Sequence, residues 1–159
     1  MNKLKVNIVC RQDMIPAYIT EGSVGMDLRA DLSGIEGDSI AVIYGVRQLY
    51  MKPEDRALIP TGIKIAIPKG YECQVRSRSG LALKQGLIVL NSPGTIDSDF
   101  RGEIGVILYN ASGVKQYINH RDRIAQLVFN KIEIVEFDLV KELDDTIRGE
   151  GGFNSTGKE

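Results

Sequence analysis

The residues best suited to chemistry lie in Asn91-Ser92-Pro93-Gly94-Thr95-Ile96-Asp97-Ser98-Asp99-Phe100-Arg101-Gly102-Glu103. Two carboxylates flank a small residue in a hairpin-like stretch. On a regular strand Asp97 and Asp99 share a face. One acid could then take a proton from water while the other stays structural. Exposed acids on a turn give the same pattern, and taken alone the stretch favours that plainer reading. A second candidate is Arg76-Ser77-Arg78-Ser79-Gly80-Leu81-Ala82, ahead of a short helix expected around Ser79 to Lys84. Free N–H groups at a helix start, with Ser and Arg donors beside them, make a phosphate cradle. An ordinary helix cap beside solvated arginines is the alternative.

Three further segments carry residues that a core does not need. Gly25-Met26-Asp27-Leu28-Arg29-Ala30 sets an acid close to a glycine, as a ligand or as a surface charge. In Arg121-Asp122-Arg123-Ile124-Ala125-Gln126-Leu127, Gln126 is polar among core-like neighbours, which implies a hydrogen-bonding task or a water-facing strand position. The end of the chain, Arg148 to Glu159, is rich in glycine and builds no packed strand or helix. Gly152 to Lys158 spells most of a phosphate-binding P-loop, but Glu159 stands where Ser or Thr is required and no strand precedes it closely. What remains is an arm with Phe153 to stack on a base, or a plain tail.

The elements that must position these groups are mostly strands. Apolar residues alternate at Leu4, Val6 and Ile8, at Ile63, Ile65 and Ile67, and at Ile104, Val106 and Leu108. A further strand is expected through Ile132 and Ile134 to Glu136 and Phe137. Period-two alternation reads as half-buried strands. Gly-Pro punctuation at Pro60-Thr61-Gly62 and Pro68-Lys69-Gly70 separates short strands, as in a sandwich or barrel. The one helix is capped by Ser79 and ended by Gly86 in this reading.

Composition narrows the classes. The 159 residues fit one domain. With 20 Lys+Arg against 21 Asp+Glu, the chain lacks the basic excess of a general nucleic-acid or membrane-surface binder, though local cations can still hold a small anion. Cys10 and Cys73 have no metal-ligand spacing, and His120 is the single histidine, so neither a zinc site nor a Ser-His triad is indicated. Isolated thiols, the absence of a signal core in Met1 to Arg11 and the absence of a long apolar run lead to the expectation of a soluble, cytoplasmic protein.

In this order the five segments resemble the five motifs of the trimeric deoxyuridine triphosphatase (dUTPase) family. The resemblance runs from about Gly22 to Gly157. Gly-Thr-Ile-Asp-Ser-Asp-Phe-Arg-Gly-Glu and Arg-Gly-Glu-Gly-Gly-Phe-Asn-Ser-Thr-Gly are its most specific parts. It implies an all-β, jelly-roll-like sandwich or barrel over residues 1–147, with one short helix and a flexible C-terminal arm over 148–159. The implied assembly is a homotrimer with shared active sites. The implied reaction is Mg²⁺-assisted hydrolysis of dUTP to dUMP and pyrophosphate, which keeps uracil out of DNA and supplies dUMP for dTMP synthesis.

Residue by residue, Asp97 matches the catalytic aspartate that activates water, and Asp27 the acid that holds Mg²⁺ through water. Arg78, Ser79, Gly80 and Gln126 match phosphate contacts. Asn91, Gly94, Thr95, Ile96 and Gly105 match the hairpin that reads uracil. Phe100 matches the ring that packs under the sugar. Arg148 matches the arm's γ-phosphate contact, Phe153 the stacking ring, and Ser155 and Thr156 further phosphate contacts. Departures are Phe100 for a usual Tyr, Ser77 for Pro, Arg121 for Gly, Asn154 for Gly or Ser, and a longer stretch from Ile40 to Arg56, plainly read as a surface hairpin. A dCTP deaminase shares fold and motifs, but the strand end Val-Ile-Leu-Tyr-Asn lacks that family's glutamate. A non-catalytic nucleotide-sensing trimer is the other rival, and it has no need of Asp97, Asp27 and the arm together.

Overall fold

The computed structural model describes residues 3–152. Twelve short strands and one helix follow in order: β1 Asn7–Val9, β2 Met26–Arg29, β3 Ile40–Ile43, β4 Val46–Met51, β5 Arg56–Pro60, β6 Lys64–Ala66, β7 Tyr71–Arg76, α1 Ser79–Gln85, β8 Leu87–Val89, β9 Gly94–Ile96, β10 Gly105–Asn110, β11 Gln116–Asn119 and β12 Arg123–Lys131. A turn of 3-10 helix, Gln12–Met14, precedes β2. The strands form four small sheets ordered β1-β6, β5-β10-β8, β11-β4-β3 and β2-β12-β7-β9. Every pairing is antiparallel. This is the expected all-β, jelly-roll-like architecture.

One core joins the sheets. Leu28, Ile59, Ile63, Ile104, Val106, Leu108 and Leu127 are almost wholly buried in it. Each fully buried Leu or Ile contributes roughly 1.5–3 kcal/mol of transfer free energy. Alternation shows directly in β10, where Val106, Leu108 and Asn110 are buried and the residues between them are not. Asn110 is polar, but its amide donates to the Met51 and Val114 carbonyls and its oxygen accepts from Ser112. Such pairing removes the cost of burying it.

Three local expectations are corrected. Ser79 is the first helical residue, not the cap. Arg78 is the cap, in extended backbone with no side-chain capping bond, while Gly86 ends the helix at φ 66° as expected. Asp97 and Asp99 do not share a strand face, because β9 stops at Ile96 and a turn closes from the Phe100 N–H to the Asp97 carbonyl. No strand forms over Ile132 to Phe137. β12 ends at Lys131, and Ile134 and Phe137 are left 89% and 92% exposed. The stretch Ile40 to Arg56 does hold a surface hairpin, β3–β4, turned by Tyr44 and Gly45 at φ 50° and 78°. Positive φ at both turn residues suits the right-handed twist of the flanking strands.

Candidate active site

The four-stranded sheet and the start of α1 assemble the phosphate-binding candidates. Asp27 of β2 lies opposite Gln126 of β12, and Gln126 lies opposite Arg76 of β7. Asp27 Oδ1 accepts from Arg78 Nε at 2.7 Å, and Oδ2 accepts from Arg123 Nη1 at 3.1 Å. Arg78 Nη1 donates to the Arg123 carbonyl at 2.9 Å. Gln126 Nε2 donates to the Ser77 carbonyl at 3.0 Å, so its expected hydrogen-bonding task is real. Arg76, by contrast, is spent on Gln74, to whose side-chain oxygen it donates through Nε and Nη2.

At the start of α1 the Leu81 and Ala82 N–H groups both donate to the Arg78 carbonyl. The Ser79 and Gly80 N–H groups have no helical acceptor, as at any helix start. The lead-in to the helix is anchored at Ser77, whose N–H donates to Ser92 Oγ at 3.3 Å and whose Oγ accepts from the Val89 N–H at 2.9 Å. A cavity of about 220 Å³ opens beside this cluster, lined by Arg78, Leu81, Gln85, Tyr117, Asp122 and Arg123 among others. That is below the roughly 300–1,000 Å³ of typical ligand pockets. A second concavity of about 410 Å³, at the β3–β4 hairpin, contains none of the expected site residues.

The uracil-reading candidates lie elsewhere on the chain. Asn91, Gly94, Thr95, Ile96 and Gly105 were expected on one hairpin, but β9 and β10 belong to different sheets: β9 pairs with β7, and β10 with β5 and β8. The outer edge of β9 consequently has no strand neighbour among the described residues. Asn91 packs on Gly94, where an added Cβ would lie 3.0 Å from Asn91 Nδ2. The Phe100 ring folds over Gly102, where a Cβ would fall 2.5 Å from Phe100 Cζ. Asp97 is exposed in the turn between them.

Asp27 and Asp97 are not brought together within one chain. β2 and β9 are the two opposite edges of the sheet, three strand spacings apart, or roughly 14 Å. Arg148 forms no hydrogen bond with the cluster among the described residues, and its guanidinium donates to the Gly151 carbonyl at 2.9 Å. Phe153, Ser155 and Thr156 lie outside the described residues. Among the described residues, no three His, Cys, Asp or Glu side chains gather as a metal cage.

Three contributors were not singled out from the sequence. Arg123 shares Asp27 with Arg78. Gly25 lies against Gln126, so that an added Cβ would meet Oε1 at 2.1 Å. Glu103 accepts from the Thr61 and Gly62 N–H groups at 3.1 and 2.8 Å, and the buried Thr61 hydroxyl donates to the Ile104 carbonyl at 2.6 Å. These bonds fasten the far end of the Asp97 turn to the β5–β6 connection. The signal for Glu103 was its place at the end of the acidic stretch. For Gly25 and Arg123 the signal was their place in the segments Gly25 to Ala30 and Arg121 to Leu127, which did not mark either residue's own task. Cys10 and Cys73 are free thiols; Cys73 pairs opposite Ile96 but is buried, and burial pushes its thiol up to about 12.

Comparison with known proteins fits this arrangement. The dUTPase family model matches residues 34–157. A deoxyuridine 5'-triphosphate nucleotidohydrolase of Fusobacterium nucleatum subsp. nucleatum is 48% identical over 159 residues, covering 99% of this chain and 100% of that protein. Its counterpart from Orientia tsutsugamushi (strain Boryong) is 48% identical over 143 residues, covering 90% of this chain and 88% of that one. A point variant of the Staphylococcus bacteriophage 80alpha dUTPase with dUpNHpp shares the fold at a TM-score of 0.78 and 23% identity, over 99% of each chain. A variant dUTPase from phage phi11 of S. aureus, described with a structural Mg(II) ion, matches at a TM-score of 0.71 and 22% identity, over 91% of this chain and 100% of that one. With the family model matching most of its length and 48% identity to the two bacterial enzymes, the chain belongs to the dUTPase family.

Proposed function

We propose that the protein hydrolyses dUTP to dUMP and pyrophosphate in active sites shared between three copies of the chain. The observation that carries the reading is the cluster at the start of α1, where Arg78 bonds Asp27 and Gln126 bonds the Ser77 carbonyl, on the Asp27 edge of the sheet. In this reading Arg78, Ser79, Gly80 and Gln126 hold the triphosphate. Donors fixed before the substrate arrives stabilise developing charge without reorganising.

Asp97 acts as the general base. It takes a proton from water as the water oxygen attacks the α-phosphorus. The bond from that phosphorus to its bridging oxygen breaks, and pyrophosphate leaves. Such base assistance is worth about 10²- to 10⁴-fold. Asn91, the backbone of Gly94, Thr95 and Ile96, and Gly105 read the uracil. The unpaired edge of β9 offers the peptide donors and acceptors this needs. Phe100 closes off the sugar.

The donor set fits Mg²⁺ held mainly by the nucleotide. Asp27 is a single carboxylate whose two oxygens each accept one bond from a guanidinium, leaving a lone pair on each for metal-bound water. Mg²⁺ keeps several waters and favours one or two carboxylates plus phosphates. When bound, it supplies charge neutralisation and a fixed phosphate conformation.

Two features support assembly as a homotrimer. Asp97 and Asp27 sit on opposite sheet edges, so a copy bringing its β9 edge to a neighbour's Asp27 edge completes the constellation. The apolar segment 132–140, in which Val135, Phe137 and Leu139 alternate, has no strand partner among the described residues. Phe137 and Leu139 are 92% and 98% exposed, a costly state unless a second copy covers them. We assign residues 1–147 to the β domain and 148–159 to an arm that closes over a site, with Arg148, Phe153, Ser155 and Thr156 on base and phosphates. Closure excludes water and completes the site. Among the described residues no helix is long and apolar enough to cross a membrane, and a cytoplasmic location suits an enzyme of the nucleotide pool.

The test is pyrophosphate release from dUTP, dCTP, dTTP and UTP, each with and without Mg²⁺. Metal-dependent release from dUTP alone is expected. Ammonia release from dCTP would overturn the reading in favour of a deaminase, and turnover of none would leave a sensor.

A further inference from the structure

We infer that Arg123 is a positioning residue of this site: a bulge in β12 turns it onto the Asp27 face of the sheet, where it fixes the Asp27 carboxylate for the water shell of nucleotide-bound Mg²⁺. The inference rests on the dUTPase reading above.

The register makes the argument. Asp27 pairs with Gln126, Leu28 with Ala125, and Arg29 with Arg123. From Ala125 to Arg123 the strand β12 advances two residues while β2 advances one, with the irregularity between them. In a regular strand Arg123, an odd number of residues from Gln126, lies on the opposite face. The extra residue reverses that. Burial agrees: Ile124 and Ala125 are consecutive and both point into the core at 1% and 0% exposure, while Arg123 and Gln126 both face out. The slip therefore places Arg123 beside Asp27 instead of in the core.

The bonds then form a closed ring. Arg123 Nη1 donates to Asp27 Oδ2, Arg78 Nε donates to Asp27 Oδ1, and Arg78 Nη1 donates to the Arg123 carbonyl. Arg123 thus orients the metal-side carboxylate with its side chain and the phosphate-side arginine with its backbone. Two guanidinium groups on two different oxygens fix the plane of the carboxylate, which a single contact does not. Arg78 retains its Nη2 group for a phosphate oxygen. Two cations around one anion also leave the spot net positive, which favours a metal that arrives already bound to a triphosphate.

Stability is a poor explanation for this contact. The Arg123 side chain is 43% exposed, and ion pairs at such positions contribute little to folding. Partners that orient a metal's ligands, in contrast, typically change metal affinity or activity by about 10- to 100-fold when removed.

The experiment uses the full chain with Arg123→Met and Arg123→Lys. Binding of dUpNHpp is measured calorimetrically with Mg²⁺ and with EDTA, and turnover of dUTP is followed across a Mg²⁺ series. The thermal midpoint without ligand should stay near that of the parent protein. For Arg123→Met, analogue binding with Mg²⁺ should weaken about tenfold or more, while binding in EDTA stays nearly unchanged. The Mg²⁺ concentration for half-maximal turnover should rise by a similar factor, and saturating Mg²⁺ should restore most of kcat. Arg123→Lys, which keeps the charge but loses the planar fork, should fall between. A parent-like Mg²⁺ dependence in both variants overturns the inference. So does equal weakening with Mg²⁺ and with EDTA, which would make Arg123 a direct phosphate contact. If the parent protein turned over no dUTP, the proposed function would fail, while the Mg²⁺-dependent part of analogue binding would still decide the role of Arg123.

Discussion

Gly25 lies so close to the side chain of Gln126 that a methyl group on its α-carbon would fall 2.1 Å from Oε1 and 3.0 Å from Cδ. The glycine is needed for space. Its absent side chain lets the Gln126 amide lie flat between β2 and the Ser77 carbonyl. Gly25→Ala is therefore expected to push the amide off Ser77 and out of the phosphate cradle. Losing one hydrogen-bond partner at a half-buried site costs about 1–3 kcal/mol. In binding terms, KM for dUTP should rise by about tenfold with a smaller change in kcat. Steady-state kinetics would show it, and an unchanged KM would mean that Gln126 does not hold the substrate.

Asp97 stands in an exposed turn with no salt bridge among the described residues. Its substitution by Asn removes a proton acceptor and nothing that the fold relies on. Asp97→Asn should leave dUpNHpp affinity and thermal stability near the parent values, and lower kcat by about 10²-fold or more. Single-turnover measurements on dUTP separate the chemical step from release. Substantial remaining turnover would remove the general-base role.

Much of this was legible in the sequence, for reasons that residues make concrete. Val106 and Leu108 are buried in alternation with the less buried Gly105, Ile107 and Tyr109 because a pleated strand turns successive side chains to opposite faces, and Gly86 ends α1 because the cap needs a left-handed residue. Ile132 to Phe137 shows where such reading stops. Ile132 and Ile134 alternate, but the apolar phase shifts at Val135 and Phe137, and periodicity does not say which chain supplies a neighbouring strand. Arg123 escaped for a related reason. A one-residue bulge reverses its face, and nothing in Arg-Ile-Ala-Gln announces the slip. For Asp97 both a strand face and an exposed turn were legible, and Ser98 and Asp99, both good turn formers, fit the turn that forms. Gly25 and Gln126 meet only once β2 and β12 pair, about a hundred residues apart along the chain.

The exposed segment after β12 offers a separate test of assembly. Phe137 and Leu139 are apolar, almost fully exposed and two residues apart, so they point the same way on an extended strand. Phe137→Asp combined with Leu139→Asp should leave the β domain folded and shift the assembly toward smaller species. Sedimentation at several concentrations would report this, and activity should fall with the loss of shared sites. Ending the chain at Ile147 should do the reverse, keeping the assembly and losing most turnover. A variant chain with both charges that still assembles would mean the segment is not the interface.

Asp31 gives a prediction about acid stability. Burial raises its pKa, but the Ser33 hydroxyl and N–H, which donate to Oδ1 at 2.6 and 3.1 Å, together with Arg11 and His120, outweigh that and hold it below the ordinary carboxylate value. His120 Nδ1 lies 3.7 Å from Asp31 Oδ1 and accepts from the Leu32 N–H at 3.1 Å. Folding therefore favours ionised Asp31. Its contribution is complete above the unfolded value, near pH 4, and is lost as pH falls through the lower folded value. Asp31→Asn should cost about 1–2 kcal/mol at pH 7, and the gap between parent and variant should close as pH is lowered below about 4. Urea unfolding at pH 7, 5 and 3 measures that gap. A gap that stays constant down to pH 3 would mean that packing, and not the charge of Asp31, ties β2 to the turn before β12.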